Sequence, residues 1–163
     1  MAQLIETAIH EAGHTIMALK FNKDFEYVTI ISKEDSLGHI KYVENVSNLL
    51  KLLDGTSEEI LEFHEINKMV QQEIIIKLSG YNAELKFGLD NKIGAKEDLD
   101  SSFEIALSHE GDGESASRFL DECLELSKKY VDDYWESIQI LAQKLIEHKT
   151  LNQIQVRSFL DYK

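Results

Sequence analysis

The chain has 163 residues, 43% of them hydrophobic and 29% charged, which fits one folded domain spanning 1–163 and excludes the low-hydrophobicity composition of disordered chains. Its 17 Lys and Arg against 30 Asp and Glu give a formal net charge of −13, which excludes the basic surface that nucleic-acid binding needs. No apolar run is long enough to cross a bilayer, the N-terminus lacks a basic leader, and the single cysteine, Cys123, has no internal disulfide partner; the expectation is a cytoplasmic protein without membrane insertion, whose metal ligands would have to be His, Asp or Glu.

Residues 3–21 carry Leu4, Ile5, Ala8, Ile9, Ala12, Ile16, Met17 and Leu19 at helical spacing, so an amphipathic first helix is predicted. The β-branched and aromatic run 25–31 reads as a strand, the polar residues 32–36 as a turn, and 37–43 as a returning strand. Everything after this β-ribbon reads as helical. Thr56 and Glu59 have capping-box spacing before a long helix that passes Ile74-Ile75-Ile76 and stops near Gly88. Residues 91–95 read as a loop, 97–108 as a helix, 110–113 as a break and 115–147 as one long amphipathic helix. A second capping box, Thr150 with Gln153, precedes a short C-terminal helix. The fold class is therefore mainly α with a small β-ribbon or sheet.

One motif carries chemistry: His10-Glu11-Ala12-Gly13-His14 on the first helix. Two histidines four residues apart lie about 40° apart around a helix and one turn apart along it, so both imidazoles can reach one ion. Glu11 projects beside them, close enough to activate a water but directed away from the ion, as a zinc peptidase requires of its general base. The third ligand must come from elsewhere. Met17 and Lys20 stand where one subclass has Gly and His, so an acidic residue is expected, and spacing leaves Glu84 and Asp98 both open.

The chain resembles the peptidase domain of the FtsH-type, ATP-dependent zinc metalloproteases. Besides residues 7–14, the resemblance rests on Val28-Thr29-Ile30-Ile31, Leu37-Gly38, Gly80 with Ala83-Glu84, Phe87-Gly88, Gly94-Ala95, Asp98-Leu99 and the closing run 145–151, all in the family's order. It implies a zincin-like metallopeptidase domain with the HExxH motif on the first helix, Zn²⁺ as cofactor and Asp98 as third ligand. It further implies that Glu84 orients a ligand imidazole and that Gly38 and His39 lie on a strand beside the cleft, where they can touch substrate. The sequence departs from the family pattern at Ser79-Gly80-Tyr81 and Ile93, and contains no Gly-x-x-x-x-Gly-Lys-Ser/Thr phosphate loop, so activity without ATP is expected.

The expected function is zinc-dependent hydrolysis of peptides or unfolded proteins, with Glu11 activating the water. The alternative is a catalytically idle zinc-binding interaction or regulatory module, and retention of Glu11 favours the enzyme. Partners compatible with either reading are a second copy of the chain or a separate protein. Simpler roles suffice elsewhere: His64, His109 and His148 on helix surfaces or at helix C-terminal ends, Cys123 as a small core residue, Tyr130, Tyr134 and Trp135 in a core or interface, and 110–114 as a solvated acidic turn.

Overall fold

The computed structural model describes residues 2–32, 37–43, 46–57, 61–89 and 92–160. Its elements are α1 (Ala2–Lys20), β1 (Phe25–Thr29), β2 (His39–Tyr42), α2 (Val46–Leu53), α3 (Phe63–Phe87), α4 (Lys92–Glu110), α5 (Gly113–Asp133), α6 (Trp135–His148), β3 (Thr150–Asn152) and α7 (Gln153–Phe159). The fold is mainly helical, with a three-stranded sheet in the order β2-β1-β3 and both pairings antiparallel. No described helix is long and apolar enough to cross a membrane.

Two apolar clusters organise the helices. In the first, Ala8, Ala12, Ile16 and Met17 of α1 pack with Ile138, Leu141 and Leu145 of α6 and with Val28 and Leu151 of the sheet. In the second, Val70, Ile74 and Leu78 of α3 pack with Ile105 of α4 and Ala116 and Cys123 of α5. Between these clusters α1 and α3 lie antiparallel, His10 level with Glu84 and His14 level with Ile76. Gly13 makes this approach possible: a Cβ there would stand 2.5 Å from the Ser79 carbonyl oxygen.

The first helix, the β-ribbon and the Gly88 stop follow the sequence reading, Gly88 closing α3 with φ 88° in the left-handed region. The continuous helix over 115–147 does not form; it divides at Tyr134 into α5 and α6. No proline or glycine marks the break, because its cause is tertiary: α5 serves the α3–α4 cluster whereas α6 serves the α1 cluster, and one straight helix cannot face both. Lys20 closes the corner, its ammonium 4.5 Å from the Tyr130 ring centroid and 3.4 Å from the Tyr134 hydroxyl.

The loop expected over 91–95 also needs correction. α4 already starts at Lys92, absorbing Gly94 at a propensity cost of about 1 kcal/mol, so Asp98 lies within the helix rather than at its start. Glu59 of the first capping box lies outside the described residues; α3 itself begins at Phe63, where the Glu65 carboxylate accepts the Glu62 N–H at 3.0 Å. The C-terminal box shifts by two residues to Asn152 and Gln155, because 150–152 is committed to β3. α2 and β3 are additions to the sequence reading.

Candidate metal centre

His10, His14 and Asp98 converge. His10 Nε2 and His14 Nε2 are 2.8 Å apart, and Asp98 Oδ2 is 3.3 Å from each. These three atoms form the only group of His, Cys, Asp or Glu among the described residues with the proximity to hold one metal ion.

Each ring is oriented from its far side. His14 Nδ1 is 2.7 Å from the Ile76 carbonyl oxygen, which can only accept, so the proton sits on Nδ1 and the Nε2 lone pair faces the centre. The same carbonyl accepts the Ser79 hydroxyl at 2.6 Å. His10 Nδ1 is 2.9 Å from Glu84 Oε1, an ion-pair contact rather than an aligned hydrogen bond, and the buried carboxylate favours a proton on that nitrogen. Two acceptor nitrogens and a carboxylate oxygen thus share one point, an arrangement that requires a cation.

The donor set fits zinc. Ligands at about 2.0–2.1 Å in a tetrahedron stand roughly 3.3 Å from one another, close to the observed separations. Asp98 Oδ2 is buried without a hydrogen-bond partner, as expected of an oxygen reserved for an ion. Gly80 supplies the space, since a Cβ on it would lie 2.5 Å from His14 Nε2 and 2.8 Å from His10 Cε1.

The charges respond accordingly. Burial alone lowers the His10 pKa, but the Asp98 and Glu84 carboxylates outweigh burial and raise it to about 10, so a proton occupies the metal-free centre at neutral pH. Burial likewise pushes Asp98 up, yet His14 and His10 hold it well below the usual carboxylate range. Burial pushes the Glu11 carboxyl up, opposed by His14 and His10. Glu11 is buried one residue beyond His10, turned about 100° around the helix, so it stands beside the donors.

Of the remaining candidates, Glu84 is buried against His10, and Gly38 packs on Glu11, where a Cβ would meet both Cγ and Oε1 at 2.9 Å. His39 is not brought into the centre. It opens β2, one residue later than Gly38, and its Nε2 is 3.2 Å from the Tyr27 hydroxyl. His109 lies in the last turn of α4, at a helix C-terminal end as expected, but with its side chain buried, 2.9 Å from Asn67 Oδ1 and between Phe63 and Phe119. The contributions of Gly13 and Thr7 were missed; an isolated glycine inside a strong helical pattern is the signal that marks the former.

No family model matches the chain. It is similar to the ATP-dependent zinc metalloprotease FtsH of Protochlamydia amoebophila (strain UWE25), 26% identical over 182 residues that cover 94% of this chain and 20% of that protein. It is 27% identical over 185 residues to the ATP-dependent zinc metalloprotease YME1 homolog of Caenorhabditis elegans, covering 93% and 24%. FtsH of Alkalihalophilus pseudofirmus matches at 23% over 184 residues, covering 94% and 27%. The chain spans between a fifth and three-tenths of the length of these relatives. Over nearly all of its own length, this chain is similar to the FtsH-type zinc metalloproteases, at 23–27% identity.

Proposed function

We propose that the chain is a zinc-dependent metallopeptidase domain of the zincin-like type, spanning 1–163 and hydrolysing peptide bonds in peptides or unfolded segments. The observation that carries this reading is the convergence of His10 Nε2, His14 Nε2 and the unpartnered Asp98 Oδ2, with a buried Glu11 adjacent. Zinc is the expected cofactor, as the names of the relatives suggest. His10, His14 and Asp98 would hold it, leaving a tetrahedral position open for water. Bound there, it supplies Lewis acidity and lowers the pKa of that water.

Glu11 takes the proton from the attacking water and delivers it to the leaving amine. Burial suits both duties, because a carboxyl pushed up in pKa holds a proton more firmly than an exposed one. Glu84 fixes the His10 ring, and the Ile76 carbonyl fixes His14. In the described sheet β2 is an outer strand, and the adjoining Gly38 packs on Glu11, so an extended peptide laid along β2 would pass the carboxylate.

The test is hydrolysis of an unstructured, casein-like substrate by zinc-loaded wild type and Glu11→Gln. The variant should keep its zinc and lose activity by about two orders of magnitude or more. Absence of zinc-dependent hydrolysis in wild type would establish the idle-module alternative instead, and equal activity of the two proteins would mean that another protease is acting.

A further inference from the structure

Thr7 and Glu11 are one turn apart on the same face of α1, and helical side chains lean toward the N-terminus, so the Glu11 stem lies over Thr7. The Thr7 hydroxyl is committed to the Gln3 carbonyl at 2.9 Å, which fixes where the Thr7 methyl is carried. That methyl faces Gly38, the residue before β2: a Cβ on Gly38 would lie 2.7 Å from Thr7 Cγ2 and 2.9 Å from both Glu11 Cγ and Glu11 Oε1. Ordinary contact begins at 3.4 Å, so there is no room for one more carbon between Gly38 and these two side chains. Farther along α1, the Thr15 hydroxyl bonds the Glu11 carbonyl at 2.7 Å.

We propose that Thr7 and Gly38 form a seat that positions the Glu11 carboxylate, holding it beside the metal donors and off the ion itself. This rests on the metallopeptidase reading and assigns to Gly38 a role other than substrate contact. The need for a seat is chemical. A glutamate has three rotatable bonds, and one adjacent to a cation-binding point is drawn toward it. If it coordinated the ion, it would occupy the position the attacking water needs and could no longer take that water's proton. Packing by a methyl group and a glycine backbone opposes that swing by steric contact alone. Neither residue lies within the donor set, so the proposal separates the seat from the metal site.

The experiment is a double-mutant cycle on the zinc-loaded protein with Gly38→Ala and Thr7→Ser, reading zinc content, kcat and KM. Gly38→Ala should keep one zinc per chain and a KM within about three-fold, yet lower kcat by about 10-fold or more, since displacement by 1 Å can cost about 100-fold. Thr7→Ser keeps the hydroxyl and removes the methyl; alone it should lower kcat about three-fold by loosening the seat. In the Gly38→Ala background it should raise kcat, because the new Cβ can move into the vacated space. Thr7→Ser also remains informative if Gly38→Ala does not fold. An unchanged kcat in either single variant, a loss of zinc parallel to the loss of rate, or additive effects in the pair would overturn the seat. If wild type itself shows no hydrolysis that Glu11→Gln abolishes, the metallopeptidase reading fails and the seat falls with it.

Discussion

Replacing Gly80 by alanine sets two effects of opposite sign against each other. Gly80 is inside α3, where alanine is favoured over glycine by about 1 kcal/mol of helix propensity. The added Cβ, however, would stand 2.5 Å from His14 Nε2, 2.6 Å from His14 Cε1 and 2.8 Å from His10 Cε1. Reaching ordinary contact at 3.4 Å requires the His14 ring to retreat by 3.4 − 2.5 = 0.9 Å. It cannot do so freely, because its Nδ1–H is bonded at 2.7 Å to the Ile76 carbonyl on the same helix as the intruding carbon. Overpacking of this kind costs about 1–3 kcal/mol, so the clash outweighs the propensity gain. Metal–ligand distances tolerate only about 0.2 Å, and a displacement several times larger removes His14 as a ligand. Gly80→Ala should therefore keep its helix content by circular dichroism but lose zinc affinity by at least about 100-fold, measured by competition with a chromophoric chelator. Wild-type affinity in a folded Gly80→Ala protein would refute the placement of the two rings.

Asp98→Ala should abolish peptidase activity and most zinc binding, whereas Glu84→Gln should weaken zinc by about 10- to 100-fold through the loss of the carboxylate facing His10 Nδ1; zinc titrations that rank the two variants the other way would exchange their roles. In the metal-free protein, His10 holds its proton up to about pH 10 while an unfolded histidine releases it near 6.5. Its stabilisation is thus fully present below about pH 6.5 and declines toward pH 10, and denaturant titrations of chelator-treated protein should give a lower midpoint at pH 9 than at pH 6.5. Zinc binding at neutral pH should displace that proton, which calorimetry in buffers of different ionisation enthalpy detects as net proton release. Lys149 has φ 67°, so Lys149→Gly should stabilise the protein by about 0.5–1 kcal/mol; a fall in Tm would show that its Nζ bond to the Ile146 carbonyl outweighs the backbone strain.

The local features of α1 are legible because its pattern repeats at one period over five turns and the histidine spacing is contained within one helix. The pairing of that helix with its third ligand is not local. Glu84 and Asp98 are equally plausible by spacing, and only the packing of α4 against α3 puts Asp98 Oδ2 at the two imidazoles and leaves Glu84 behind His10. The division at Tyr134 escaped the sequence for a similar reason, since no proline or glycine marks it and the bend is dictated by two separate cores. β3, three residues long, is too short to produce a periodic signal, and its membership in the sheet comes from pairing with β1.

The two apolar clusters give the donor set a consequence for how the protein comes apart. His10 and His14 ride on a helix whose inner face belongs to the cluster shared with α6 and the sheet, while Asp98 rides on α4, which belongs to the cluster shared with α3 and α5. An ion held by all three joins two bodies of packing that otherwise meet mainly along α1 and α3. Opening either body withdraws at least one ligand, so partial unfolding and metal release become the same event. Bound zinc should accordingly slow amide exchange in α4 and α6 together, and the rate at which zinc leaves should report the first opening of either body.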